Sequence, residues 1–344
     1  MAVNVLVVQG SIPPYREALF DALGSVESVK LTVAHSTVGT APRAATYVAV
    51  SRPQVRCGPF LYQRALPSMW KSADVVIASL DVRYVASLLC SMRYPDVPVF
   101  WWGIGLGRNA MANYVRYRRI TRTRGALLYS RTAVNSLRRV GAAEDRLHYV
   151  GNSVFAYRRP FEWQRDIKRN LLFVGSLVKR KRVDALLSAY AACARGRLGN
   201  LPIEIVGAGP ELGALRGQAA ALGIKEQVRF YGDVRDPKSI AERFRSARLC
   251  VSPGQAGLSV LTSFAHGVPF GTLRGAITGG ELENIRHLEN GLIADNFEGG
   301  LKHMISEAAL ESDKCQKLGS CAYEDFWKQL SLDHVVSRIV GVVV

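Results

Sequence analysis

Paired cysteines, acidic side chains and long apolar runs are all scarce in this 344-residue chain. The six cysteines, Cys57, Cys90, Cys193, Cys250, Cys315 and Cys321, contain no Cys-x-x-Cys pair. They are too sparse for the disulfide framework of a small secreted domain, so a reducing compartment is expected. No stretch of 18 apolar residues occurs, which argues against a membrane-spanning helix. The chain opens directly on Val3-Asn4-Val5-Leu6-Val7-Val8, without the basic start of a signal peptide. A cytosolic protein with at most peripheral membrane contact is the expectation. The histidines, His35, His148, His266, His287, His303 and His334, lack metal-ligand spacing, and His266 in its Ala-His-Gly turn reads as structural. Low-complexity tracts are absent too, and 48% hydrophobic with 21% charged residues is the composition of a folded globular protein.

Acidic residues number 28 against 45 Lys and Arg, a formal charge of +17. Such an excess points to a polyanion, an anionic membrane surface or a phosphorylated ligand. The excess is uneven: residues 1–165 carry +13 and residues 166–344 carry +4. It is densest at Arg108, Arg116, Arg118, Arg119, Arg122, Arg124, Arg131, Arg138 and Arg139. A solvated helix face is one reading. An anionic membrane or a diphosphate-bearing acceptor is the other, since guanidinium forks match phosphate oxygens. Tyr114, Tyr117 and the segment Phe60–Lys71 add the aromatic rings of an interfacial surface.

Length alone suits two domains. Short β-branched runs, each followed by a helical-looking segment, recur at Val5–Gln9, Leu31–Ala34, Val75–Ala78, Val97–Trp101 and Leu127–Tyr129. The rhythm resumes at Leu171–Gly175, Ile203–Gly207, Val228–Gly232 and Leu249–Pro253. Alternating strands and helices of this kind build parallel sheets, here two Rossmann-like domains. The polar, proline-interrupted segment Ala156–Arg165 reads as the linker between them. In such sheets ligands bind beyond the carboxyl ends of the strands. That directs attention to Gly175-Ser176, Gly207-Ala208-Gly209-Pro210-Glu211, Gly232-Asp233 and Gly254-Gln255-Ala256-Gly257-Leu258-Ser259. Glycine there admits a phosphate to backbone N–H groups, although a plain turn would also select it. The run Lys179-Arg180-Lys181-Arg182 before a helical segment supplies cations for a diphosphate. In the first half, Gly10, Ser11, Tyr15 and Arg16 follow the first strand, where an acceptor would lie, with core packing the rival for Tyr15. Asp81 follows another strand and reads as an acceptor-side base or a helix N-cap.

The second half also resembles a known family. Phe173-Val174-Gly175-Ser176-Leu177 with Lys181 and Asp184, Ile205–Glu211, Val228–Gly232, Gly257-Leu258, Ala265-His266-Gly267-Val268-Pro269, Gly279-Gly280, Glu283 and Asn290-Gly291-Leu292 follow the order of the nucleotide-sugar domain of retaining glycosyltransferase family 4. In the first half only Pro13-Pro14-Tyr15-Arg16, Trp101-Trp102-Gly103 and Val150-Gly151-Asn152-Ser153 approach it. The resemblance implies a GT-B fold, two Rossmann-like α/β domains with parallel sheets facing a central cleft. The expected domains are residues 1–160 for the acceptor and 161–322 for the donor, with 323–344 returning to the first.

The implied reaction moves a sugar from a nucleoside diphosphate donor to a saccharide or lipid-linked acceptor with retention. It needs no metal or other cofactor, in agreement with the lack of an Asp-x-Asp motif, and surface polysaccharide synthesis would suit it. Lys181 and Asp81 are the catalytic candidates. Gly175, Ser176, Arg180, Lys181, Gly207, Gly209, Pro210, Glu211, Tyr231, Gly232, Asp233, Gln255, Gly257, Leu258, Ser259, Thr262 and Glu283 are expected at the donor. The chain departs from the family where two glutamates fall on Gly254 and Thr262, an arginine on Ser176 and a histidine on Ile104. Thr262, Gln255, Ser259, Glu281 and Glu283 remain to meet donor hydroxyls. Two alternatives stay open: a catalytically degenerate member that binds membrane or nucleic acid, and a sugar-nucleotide epimerase.

Overall fold

The computed structural model describes residues 2–36, 46–162, 169–194 and 201–344. The chain divides into two compact units, Met1–Phe155 with Leu332–Val344, and Ala156–Ser331.

In the first unit, β1 (Val3–Val8), α1 (Pro14–Gly24), β2 (Val29–His35) and β3 (Val48–Ser51) lead to a hairpin of β4 (Gln54–Cys57) and β5 (Phe60–Gln63). Next come α2 (Leu66–Lys71), β6 (Val75–Ser79), α3 (Val85–Arg93), β7 (Val99–Gly103), α4 (Ala110–Thr121), β8 (Gly125–Leu128), α5 (Arg131–Arg139) and β9 (Leu147–Tyr149). Apart from the hairpin, these strands form one parallel sheet ordered β3-β2-β1-β6-β7-β8-β9. Both faces are buried, which explains runs without polar alternation: Val5 and Val7 enter one core layer, Leu6 and Val8 the other.

The second unit runs β10 (Asn170–Val174), α6 (Val183–Ala194), β11 (Ile203–Val206), α7 (Leu212–Ala221), β12 (Val228–Gly232), α8 (Pro237–Ser246) and β13 (Ala247–Val251). It continues through β14 (Gln255–Ala256), α9 (Leu258–Ala265), β15 (Phe270–Leu273), β16 (Ile277–Thr278), β17 (Gly291–Ala294), α10 (Gly299–Leu310) and α11 (Ser312–Asp325). Its parallel sheet is ordered β12-β11-β10-β13-β15-β17. Strand order reverses between β1 and β6 in one unit and between β10 and β13 in the other. Helices there leave on opposite faces and open a crevice at the carboxyl ends.

The last helix, α12 (Leu332–Val343), packs Val335, Val336, Ile339 and Val343 into the first unit's core. Burial at about 1.5–3 kcal/mol per side chain, an upper bound, accounts for that docking. The divisions fall at 155/156 and 331/332 rather than at 160 and 322 because both segments are anchored on the second unit. Phe161 lies 5.7 Å from the Tyr323 ring, the Tyr323 hydroxyl donates to the Arg159 carbonyl, and Trp327 Nε1 donates to the Ala265 carbonyl at 3.3 Å. Of the expected linker, residues 163–165 lie outside the described residues. No helix among the described residues is long and apolar enough to cross a membrane.

Candidate functional site

The loops after β10, β11, β12 and β13 are tied together by backbone hydrogen bonds. Gly207 N donates to the Gly232 carbonyl at 2.7 Å, Leu177 N to Ala208 at 2.9 Å and Gly254 N to Lys181 at 3.1 Å. Glycine is required where these loops touch. A Cβ at Gly207, whose φ is +145°, would lie 1.8 Å from the Gly175 carbonyl oxygen, and one at Gly254 would lie 2.1 Å from that of Arg180.

Lys181 sits at the centre of this crevice. It ends a short 3-10 turn over Lys179–Lys181, after which Arg182 takes a left-handed φ of +54° to start α6. The turn folds Lys181 inward until only 7% of it is exposed. A Cβ at Gly175 would stand 3.5 Å from its Nζ, which places the ammonium over the carboxyl end of β10. Burial pushes its pKa below the ordinary lysine value, as does Arg180, while Cys250 and Glu281 oppose the shift. The Cys250 thiol is fully buried and pushed up to about 12, so at neutral pH it is uncharged. Glu281 is itself buried and accepts from Gly279 N. No carboxylate among the described residues forms an ion pair with Lys181.

The other donor candidates divide. Arg180 is exposed and its Nε donates to Gln255 Oε1 at 3.1 Å, joining the cationic turn to the loop after β13. Gly257 caps α9, so Leu258 and Ser259 stand in its first turn, and the buried Ser259 Oγ has no hydrogen-bond partner among the described residues. Ser176 and Pro210 are exposed, Gly209 packs on the Leu177 carbonyl and Glu211 caps α7 by its backbone. Three of the candidates are engaged by neighbours in the second unit. The Tyr231 hydroxyl donates to Glu204 at 3.2 Å and its ring lies under Arg243, so it serves a cluster on β11, β12 and α8. Asp233 is paired with Arg235. Thr262 donates its hydroxyl to the Leu258 carbonyl one helical turn back, which removes the proton it would offer a ribose. Glu283 lies on the turn Glu281–Asn284, but it is Glu281 whose charge reaches Lys181.

In the first unit the crevice holds the loops after β1 and β6. A Cβ at Gly10 would lie 1.7 Å from the Tyr84 hydroxyl, and Gln63 Nε2 donates to the Gln9 carbonyl at 2.9 Å. Ser11 is exposed and Tyr15 is 39% exposed. Arg16, expected to meet an acceptor, is instead buried, stacked over Trp102 at 4.1 Å and donating to the Tyr129 hydroxyl. Its helical stripe gives the reason: Arg16, Leu19, Phe20 and Leu23 all face the sheet. Sequence reading passed over Tyr84, and it gave Trp102 only within the Trp101-Trp102-Gly103 resemblance, Tyr129 only as a strand end and Gln63 only within the segment Phe60–Lys71.

Asp81 neither caps α3 nor stands free. Its carboxylate pairs with Arg83 at 2.6 Å and accepts the Arg83 N–H at 3.0 Å. Partial burial raises its pKa, but the hydrogen bonds and charge of Arg83 and the charge of Arg116 outweigh that and hold it below the usual carboxylate value. A carboxylate so held is a weak base, and the geometry assigns it to bracing the β6–α3 loop. Because the folded value is depressed, the pair's contribution is present above the unfolded carboxyl pKa of about 4 and lost as pH falls through the folded value. Asp81→Asn is expected to cost less than about 1 kcal/mol in urea denaturation at neutral pH, and nothing in acid.

The arginine cluster is partly structural. Arg119 is buried and donates to the Asp81 and Val82 carbonyls, Arg138 pairs with Glu144, and Arg131 lies over Tyr149. Arg108, Arg118, Arg122, Arg124 and Arg139 remain exposed. Among the described residues no three His, Cys, Asp or Glu side chains converge to hold a metal ion. A pocket of about 400 Å³ lined by Phe161, Lys238, Arg245, His266 and Tyr323 lies at the C-terminal end of α9, opposite the glycine loops.

Two parallel α/β units with ligand crevices at their switch points define the GT-B class of fold. Over 99% of both chains, and at 14% identity, the fold superposes with a TM-score of 0.76 on Anabaena HepE, solved in complex with UDP and glucose. Residues 159–325 match the family model described as Glycosyl transferases group 1, so the second unit carries a domain of that kind. The chain is 28% identical over 190 residues to an exopolysaccharide phosphotransferase of Streptomyces coelicolor. It is 27% identical over 175 residues to a GDP-mannose-dependent alpha-(1-6)-phosphatidylinositol monomannoside mannosyltransferase of Mycobacterium tuberculosis. These stretches cover 54% and 47% of this chain but only 19% and 44% of those proteins.

Proposed function

We propose that this protein is a retaining, metal-independent glycosyltransferase of family 4 that moves a hexosyl group from a nucleoside diphosphate sugar to a saccharide or lipid-linked saccharide acceptor. The carrying observation is Lys181, a buried ammonium without an ion-pair partner among the described residues at the switch point of the second unit. A buried cation without an ion-pair partner is costly, and an anionic ligand repays that cost. As the glycosyl bond breaks, negative charge grows on the leaving diphosphate oxygen. Lys181, Arg180 and the N–H groups opening α9 stabilise that charge more than the ground state, which lowers the barrier. The Ser259 hydroxyl adds a donor at the same helix end. Tyr15 and Ser11 are the exposed groups for an acceptor in the first unit. The names of the relatives, one acting on an exopolysaccharide and one on a phosphatidylinositol mannoside, support an acceptor in surface glycoconjugate synthesis.

A melting-temperature screen over UDP, GDP, ADP, CMP and dTDP tests the donor site. At a hundredfold excess over Kd the matching nucleotide adds about 2.7 kcal/mol, or about 5–10 °C for a unit of this size. No shift with any of the five would overturn the reading. Transfer from the matching sugar nucleotide, with the product anomer read by NMR, then tests retention. Gly254 and Thr262, in place of two carboxylates, favour one second reading, a nucleotide binder without turnover. Nucleotide stabilisation with no sugar transfer or hydrolysis would establish it.

A further inference from the structure

Among the described residues the β4–β5 hairpin pairs with no other strand of the first unit's sheet. Its register sets Val55 opposite Tyr62 and Cys57 opposite Phe60, so these four side chains share one face. All four are exposed: Val55 and Tyr62 at 42%, Phe60 at 49%, and Cys57. The face is held outward by contacts on the other side. Gln63 is buried and donates to the Gln9 carbonyl, and Leu61 N donates to the Arg83 carbonyl at 2.8 Å. A largely apolar face presented to water marks a docking surface.

Its surroundings select the partner. From residue 28 to residue 73 the sequence contains six Lys and Arg and no Asp or Glu. Arg56, Arg64 and Lys71 of that stretch are exposed around the hairpin and its following helix. We infer that this hairpin is a membrane-docking element, with Phe60, Tyr62 and Val55 entering the headgroup region of an anionic lipid surface and the cations pairing with lipid phosphates. Aromatic rings favour that depth, and basic side chains add attraction that salt screens. A second copy of the chain is disfavoured as occupant, because a two-fold contact through this face would bring two cationic rims together. The test of this surface needs neither donor nor acceptor.

The test is sedimentation with phosphatidylcholine vesicles, with and without phosphatidylglycerol. The full chain is expected to pellet with the phosphatidylglycerol vesicles at low salt and to be released by added salt. Phe60→Ser with Tyr62→Ser, and separately Arg56→Glu with Arg64→Glu, should each lower the partition coefficient about tenfold or more without changing the melting temperature. An environment-sensitive fluorophore on Cys57, in a Cys321→Ser background, should shift to the blue on those vesicles. Any one of four results would overturn the inference: no pelleting of the wild type, undiminished pelleting of the serine variant, an unshifted fluorophore, or a drop in oligomeric mass on light scattering when Phe60 and Tyr62 are replaced. The last would assign the face to a protein interface.

Discussion

Replacing Lys181 by methionine is expected to remove the nucleotide-induced rise in melting temperature while leaving the unliganded protein at least as stable as the wild type. The two halves of that result have one cause. In the free protein Lys181 is a cation withdrawn from water with no ion-pair partner among the described residues, and burial lowers its pKa. An apolar side chain of similar length relieves that desolvation. In the liganded protein the same charge meets a diphosphate, a contact of about 1–3 kcal/mol in affinity. Its share of transition-state stabilisation is expected to reach about 10²–10³ in kcat, the range for one preorganised oxyanion donor. Calorimetric titration of the matching nucleotide and differential scanning of the free protein check the two halves. Unchanged affinity in the variant would remove Lys181 from the site.

The same lysine sets a pH dependence with a definite sign. Its folded pKa lies below the unfolded one, so the desolvation cost is present at neutral pH and is relieved as pH rises between the two values. Nucleotide affinity runs the other way. It is full while Lys181 is protonated and falls as pH rises through the lysine's depressed value. Above about pH 8, two units past a terminal-phosphate pKa of about 6, that decline belongs to the protein. The methionine variant should show none of it, a readout that a purely structural lysine would not move.

Much of the frame was legible because buried parallel strands carry their own signal. Val5–Val8 and Leu171–Val174 are continuous apolar runs, and glycines follow both β10 and β11. The hairpin was not, since its four-residue strands place arginine and glutamine among the apolar residues. At the site, the type of residue was readable and its direction was not. Lys181 stood out as a cation beside a glycine turn, but its burial depends on a left-handed Arg182 that no propensity announces. Tyr231 and Asp233 were drawn in by their nearness to Gly232, yet their side chains are claimed by Glu204 and Arg235. Arg16 could have been placed correctly, because its spacing from Leu19, Phe20 and Leu23 already puts it on the buried stripe.

Gly254→Glu, which would supply one of the two carboxylates missing from the resemblance, is expected to damage the site rather than restore it. Any Cβ at this position meets the Arg180 carbonyl oxygen at 2.1 Å, the Lys181 carbonyl carbon at 2.9 Å and Arg182 Cγ at 2.8 Å. Two of these are backbone atoms of the turn that buries Lys181, so the clash cannot be relieved by a rotamer change. The turn must move, breaking the Gly254–Lys181 backbone hydrogen bond and the Arg180–Gln255 contact. Overpacking of this kind costs about 1–3 kcal/mol, and Gly254→Ala already incurs it without adding charge. Both variants should therefore lower the urea midpoint and lose the nucleotide shift. Thr262→Glu provides the contrast. Thr262 is only partly buried on α9 and its hydroxyl bonds within its own helix, so a glutamate there should cost less than about 1 kcal/mol and keep the nucleotide shift. A stable Gly254→Glu protein that still binds nucleotide would mean that the cationic turn is not what closes position 254. The paired result would instead show that the chain gave up that carboxylate to bring a buried lysine against the end of β10.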